Sequence, residues 1–135
     1  MNSFGGNRVL VVEPDSWSRV LLVDFLKGAG FEAEAAVDGD GALACAAEFD
    51  PHLLLSNYDL GAGLDGVDLA LALRKINAAL GLVFLSKQPK QNLGLLPGAD
   101  LLTGAHYLSS GEGFSSDGLL GAVTQALSGA GPSKH

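Results

Sequence analysis

Short apolar runs that alternate with stretches of helical character most constrain what this chain can fold into. Arg8-Val9-Leu10-Val11-Val12 shows no polar alternation after its first residue, which reads as a strand buried on both faces. Asp15 or Ser16 can then cap a helix from about Trp17 to Gly28, closed by Gly30. Leu21, Phe25 and Ala29 share one side of it, with Leu22 and Leu26 adjacent. Glu32–Val37 is a weaker strand near an edge, and Asp38-Gly39-Asp40-Gly41 is a turn and cap for a helix to about Glu48. Leu53–Ser56, Leu82–Leu85 and Ala105–Leu108 complete the strands. Asp65-Gly66 opens a helix to about Ala78, with Leu69, Ala70, Leu73 and Ile76 expected toward the core. Ser115 or Ser116 caps a last helix from about Asp117 to Leu127. Such alternation implies right-handed βαβ crossovers: an α/β fold with a five-stranded, doubly wound parallel sheet flanked by helices.

One segment breaks the alternation. Gln88–Gly104 holds Pro89, Gly94, Pro97, Gly98 and Gly104 where a fourth helix is due, so that helix is expected to be short or irregular. Residues 1–7 read as a leader, 8–128 as a single domain and 129–135 as a flexible tail.

Composition sets outer limits. The chain has 135 residues, 47% of them hydrophobic and 17% charged, which is globular rather than disordered. Its net charge of −7 argues against non-specific nucleic-acid binding, which needs clustered Lys and Arg. No apolar stretch approaches the roughly 20 residues of a membrane span, and the first residues lack signal-peptide architecture. A cytoplasmic protein is the expectation. Cys45, the sole cysteine, excludes an internal disulfide and reads as a small packed residue. His52, His106 and His135 show no metal-ligand spacing.

In open sheets of this kind the working site lies beyond the carboxyl ends of the strands. Strand ends alone place Glu13, Pro14, Asp15, Asn57, Tyr58, Asp59, Ser86, Lys87, Ser109 and Ser110 there. Val9-Leu10-Val11-Val12-Glu13, Leu53-Leu54-Leu55-Ser56-Asn57-Tyr58-Asp59-Leu60, Leu64-Asp65-Gly66 and Phe84-Leu85-Ser86 also carry a family likeness. With Tyr107-Leu108 and the last helix, they make residues 8–128 resemble the receiver domain of bacterial response regulators.

The resemblance implies a definite chemistry. Two acidic residues after the first strand and an acceptor aspartate after the third hold Mg²⁺. A hydroxyl after the fourth strand and a lysine after the fifth bind phosphoryl oxygens. Here Glu13 and Ser86 keep their positions. Pro14 takes the second acidic position, Asn57 the acceptor position and Ser110 the lysine position. Asp15 stands one residue further on and reads as a helix cap. A carboxamide carries no charge and delocalises its nitrogen lone pair, so Asn57 is a very poor nucleophile.

These departures describe a degenerate receiver with no metal, no cofactor and no catalytic residue. It is expected to be a protein-interaction module in two-component phosphorelay signalling and not an enzyme. Its expected partner is a protein: a histidine kinase, another regulator or an output protein. No nucleic acid or membrane is expected, and pairing of two copies is compatible with the chain. Leu71, Leu93, Leu95, Leu96 and Tyr107 are the candidate partner surface. Two other readings remain open at this level: phosphorylation at Asp59 or Ser56, and a small-molecule sensor using the strand-end pocket.

Overall fold

In the computed structural model, the described residues are 7–61, 64–87, 102–109 and 115–128. The strands are β1 (Arg8–Val12), β2 (Glu32–Ala36), β3 (Leu53–Asn57), β4 (Gly81–Ser86) and β5 (His106–Ser109). The described helices are α1 (Ser16–Gly28), α2 (Gly39–Phe49), α3 (Gly66–Ile76) and α4 (Ser116–Leu127). All strand pairs are parallel, in the order β2-β1-β3-β4-β5. The anticipated doubly wound sheet is present. The irregular fourth-helix segment expected over Gln88–Gly104 falls outside the described residues except at 102–104. The leader up to residue 6 and the tail from 129 fall outside them as well.

The two-residue period of each strand divides the core. Leu10, Val12, Leu54, Leu82 and Phe84 point to one face, where Ala42 of α2 and Leu69, Ala70 and Leu73 of α3 cover them. Val9, Val11, Leu53, Leu55, Val83 and Leu85 point to the other, under Leu22 and Leu26 of α1 and Leu119, Ala122, Val123 and Ala126 of α4. Water reaches neither face, which is why the central strands read as unbroken apolar runs. Among the described residues strand β2 has only β1 beside it, and its Glu32 and Glu34 are exposed. A charged edge of that kind discourages pairing with another chain.

Two helical positions differ from the periodic reading. Leu22 and Leu26, not Leu21, form the buried line of α1, and Leu21 is 50% exposed. Ile76 was expected in the core but is 82% exposed. It is the last residue of α3, and the chain turns at Asn77 so that Leu80, at 2% exposure, fills the core instead. Arg74 fastens that turn by donating to the Leu80 carbonyl from Nη2 at 3.0 Å and to the Thr103 carbonyl from Nη1 at 2.7 Å. Cys45 is half-buried, and burial pushes its thiol pKa up, with Glu34 and Glu48 adding to the shift.

Polar contacts also secure the amino end of the sheet. The Arg8 N–H donates to His52 Nδ1 at 3.2 Å. The Arg8 guanidinium donates from Nε to the Asp50 carbonyl at 2.9 Å and from Nη2 to Asp50 Oδ2 at 3.3 Å. Asp50 closes α2 in the left-handed region, at φ 51°. Aspartate tolerates that region better than most residues.

Candidate functional site

At the carboxyl end of the sheet, β1 and β3 lie side by side and deliver Glu13 and Asn57 to the same point. Glu13 is only 6% exposed. A buried carboxylate is costly unless donors surround it. Here Asn57 Nδ2 donates to Oε1 at 3.2 Å and the Asp15 N–H donates to Oε2 at 2.9 Å. The Asn57 side-chain oxygen accepts from the Asp59 N–H at 3.0 Å. The carboxylate can only accept and the backbone N–H can only donate, so the two neighbours fix which way the amide points.

Local sequence explains how each group is held. Pro14 supplies no N–H, and the next amide, that of Asp15, turns back onto Glu13. The Asp15 side chain caps α1, accepting from the Ser18 N–H at 2.8 Å. That hydrogen bond holds the Asp15 carboxyl below its ordinary value, with attraction from Lys87 and Arg19 adding to it. Arg19, about one turn into α1, donates from Nη1 to the Glu13 carbonyl at 2.8 Å and the Pro14 carbonyl at 3.3 Å. It pins the β1–α1 turn. Nothing in a lone arginine at that spacing points to the role, and the sequence reading misses it.

The β3 end is equally constrained. The Tyr58 N–H donates to the Leu85 carbonyl at 2.7 Å, extending the β3–β4 ladder one residue past Asn57. The Ser56 hydroxyl, fully buried, donates to the Asn57 carbonyl at 2.8 Å. Asp59 is exposed and accepts from the Gly61 N–H at 2.9 Å, organising the turn. Asp65 caps α3 by accepting from the Asp68 N–H at 2.8 Å. A Cβ on Gly66 would lie 2.9 Å from both the Asn57 and Tyr58 carbonyl oxygens, so only glycine lets α3 start this close to the strand end. Tyr58 stands edge-on to Phe84 with ring centres 5.9 Å apart, and Tyr107 stacks on Phe84 at 5.6 Å. Burial raises the Tyr58 pKa, and Asp65 adds to the rise.

Glu13, Asn57 and Ser86 therefore line one open cleft, of about 1050 Å³, together with Pro14, Asp15 and Lys87. Ser86 is buried and Lys87 exposed. Leu22, Phe25, Leu85 and Leu119 give the cleft an apolar wall. Ser110, Leu93, Leu95 and Leu96 lie outside the described residues. Leu71 and Tyr107 are half-buried against the α2–α3 side of the core. Trp17 is 71% exposed on α1 and does not line the cleft.

These residues do not fit a magnesium ion. One central carboxylate, Glu13, has both oxygens engaged by protein donors, Asn57 presents an N–H to it, and Asp15 is turned to its cap. Among the described residues no three His, Cys, Asp or Glu side chains are grouped as metal ligands. No helix among them is long and apolar enough to cross a membrane.

No protein-family model matches the chain. Its sequence is 36% identical over 96 residues to the transcriptional regulatory protein PrrA of Mycobacterium bovis and of Mycobacterium tuberculosis. The match takes in 69% of this chain and 41% of each relative, so the chain spans about two fifths of the length of these curated relatives. Among solved structures, it is similar to the N-terminal domain of a response regulator/sensory box/GGDEF 3-domain protein of Carboxydothermus hydrogenoformans. That match has a TM-score of 0.76 and 26% identity over 89% of this chain and 93% of the other. It is similar in fold to the chemotaxis protein CheY4 of Vibrio cholerae, with a TM-score of 0.78 and 21% identity over 91% of this chain and 100% of the other.

Proposed function

We propose that this chain, which is similar in fold and in sequence to response-regulator receiver proteins, is a two-component signalling module that takes no phosphoryl group and acts by binding another protein. One observation carries this reading. The Asn57 amide donates to Glu13 at the point where the resemblance expects a nucleophilic carboxylate and a metal ion. A carboxylate pair at that distance would repel and call for a cation. An amide against a carboxylate is a satisfied hydrogen bond and calls for none. The partner is a histidine kinase, another regulator or an output protein, and its contact surface is fixed rather than switched.

Two alternative acceptors have less support. The Ser56 hydroxyl is fully buried and already donates to the Asn57 carbonyl. Asp59 is exposed, but its carboxylate is turned to Gly61, and among the described residues no group of three His, Cys, Asp or Glu side chains stands beside it as metal ligands. The apolar wall of the cleft keeps one other reading open, a small-molecule sensor, because binding sites combine such walls with a few polar groups.

The test is an amide NMR titration with Mg²⁺ and then beryllofluoride, followed by mass spectrometry after incubation with acetyl phosphate. The expected result is an unshifted spectrum and unmodified protein. Shifts clustered at Glu13, Asn57 and Ser86, or a phosphorylated residue, would overturn the proposal. A ligand-dependent rise in melting temperature across a metabolite panel, with both of those results negative, would favour the sensor.

A further inference from the structure

Asn57 is one hydrolysis away from an aspartate. Asparagine loses its amide spontaneously when the backbone nitrogen of the next residue attacks Cγ. The Tyr58 nitrogen would lose its proton and form a bond to Cγ, the Cγ–Nδ2 bond would break, and ammonia would leave. Water would then open the resulting succinimide to aspartate or isoaspartate. At most sites this is ageing damage. Here it would place a carboxylate at the position that the proposed function requires to lack one.

We infer that the β3–β4 ladder holds off this reaction at Asn57, so that the acceptor-free state lasts as long as the strand pair stays closed. The inference rests on the proposed function for its meaning but on separate geometry for its content. The attacking nitrogen is engaged, because the Tyr58 N–H donates to the Leu85 carbonyl at 2.7 Å. Asn57 is itself the last residue of β3, paired in register with Leu85. Extended backbone holds the next nitrogen away from Cγ, and closing the five-membered ring requires that peptide to rotate out of the sheet. The Gly66 N–H also donates to the Tyr58 carbonyl at 3.1 Å, so α3 resists the same rotation.

One contact acts the other way. The Asp59 N–H donates to Asn57 Oδ1 at 3.0 Å and polarises the amide carbonyl toward attack. Polarisation helps only a nucleophile that can reach the carbon, and this one is tied into the ladder. The leaving nitrogen must also gain a proton, whereas Glu13 offers Nδ2 an acceptor. The geometric block therefore decides the rate. Reaction has to wait for local opening of the carboxyl end of the β3–β4 pair, and backbone hydrogen bonds between packed central strands open only in a small fraction of molecules.

The experiment incubates the intact folded protein, the same protein in urea, and a synthetic peptide of residues 53–62 in one mildly alkaline buffer. Peptide mapping then counts aspartate and isoaspartate at position 57. Conversion in the folded protein is expected to be on the order of 1,000-fold slower than in the peptide, with the peptide rate recovered in urea. Folded protein converting within a few-fold of the peptide would overturn the inference. Tyr58→Gly separates the ladder from side-chain bulk: the peptide carrying it should convert much faster, while the folded variant stays protected. Rapid conversion in a folded Tyr58→Gly protein would mean that bulk, not the ladder, is protective. Should that variant fail to fold, the parent comparison still decides. Beryllofluoride titration of fresh protein, before any conversion, tests the proposed function independently.

Discussion

Strand β1 is fastened by polar side chains at both ends, and the two fastenings are unlike. At the amino end, Arg8 bridges to Asp50 with side chains 31% and 81% exposed. At the carboxyl end, Glu13 is 6% exposed and meets Asn57 and the Asp15 amide. Water can replace the partners of the first pair at almost no cost. It cannot easily replace those of the second. An exposed ion pair is worth little, whereas stranding a buried charge costs its full desolvation. The lesson is that the end holding the candidate site is also the end where a one-atom change in a side chain should matter.

Asn57→Asp makes the sharpest test of that contrast. It replaces a donor to Glu13 with a second carboxylate about 3 Å away, and is expected to cost about 1–3 kcal/mol at neutral pH. Repulsion raises the folded pKa of the pair above its unfolded value. The loss should therefore be complete above that raised value and fade as pH falls from it into the ordinary carboxylate range, as the folded pair takes up a proton. Urea denaturation at several pH values, with and without Mg²⁺, reads this directly. A variant as stable as the parent at neutral pH without metal would break the comparison.

A smaller effect is expected from Asp15→Asn, visible only in acid. Asp15 has a folded pKa below the ordinary 3.8, so its cap supports the fold fully above that value and loses strength as pH falls through the folded one. Asparagine caps as well but does not titrate. The variant should match the parent at neutral pH and show a shallower acid limb in a melting-temperature profile. A large loss at neutral pH would mean that the carboxylate charge does more than cap α1.

The smallest change belongs to the amino end. Asp50→Gly removes the Oδ2 contact with Arg8 but relieves a left-handed backbone and leaves the Asp50 carbonyl to accept from Nε. Those terms offset, and stability should stay within about 1 kcal/mol of the parent. A loss comparable to that of Asn57→Asp, in a denaturation series at fixed pH, would show that exposure does not separate the two ends.

How far the sequence shows all this depends on the range of each interaction. The central strands are legible because burial on both faces leaves Val9–Val12, Leu53–Leu55 and Leu82–Leu85 unbroken. The caps at Asp15, Asp65 and Ser115 are legible because their partners lie three residues on. Strand ends also point to Glu13 and Asn57 as neighbours, without revealing that an amide–carboxylate bond joins them. Ile76 and Leu21 mislead because periodicity assumes an endless helix on a flat core. A real helix ends, and its neighbour decides which of two adjacent leucines goes under. Arg19 is illegible because backbone carbonyls leave no mark in a sequence.

The aromatic row offers a different kind of use. Tyr58 and Tyr107, the only tyrosines in the chain, both sit against Phe84, while the single tryptophan, Trp17, stands 71% exposed on α1. The molecule thus carries optical reporters in two separate regions. Near-ultraviolet circular dichroism from the tyrosines follows the packing of β3, β4 and β5, and is lost when that packing loosens. Tryptophan emission follows the solvent around α1, and would shift to the blue if a partner covered that helix while the tyrosine signal held still.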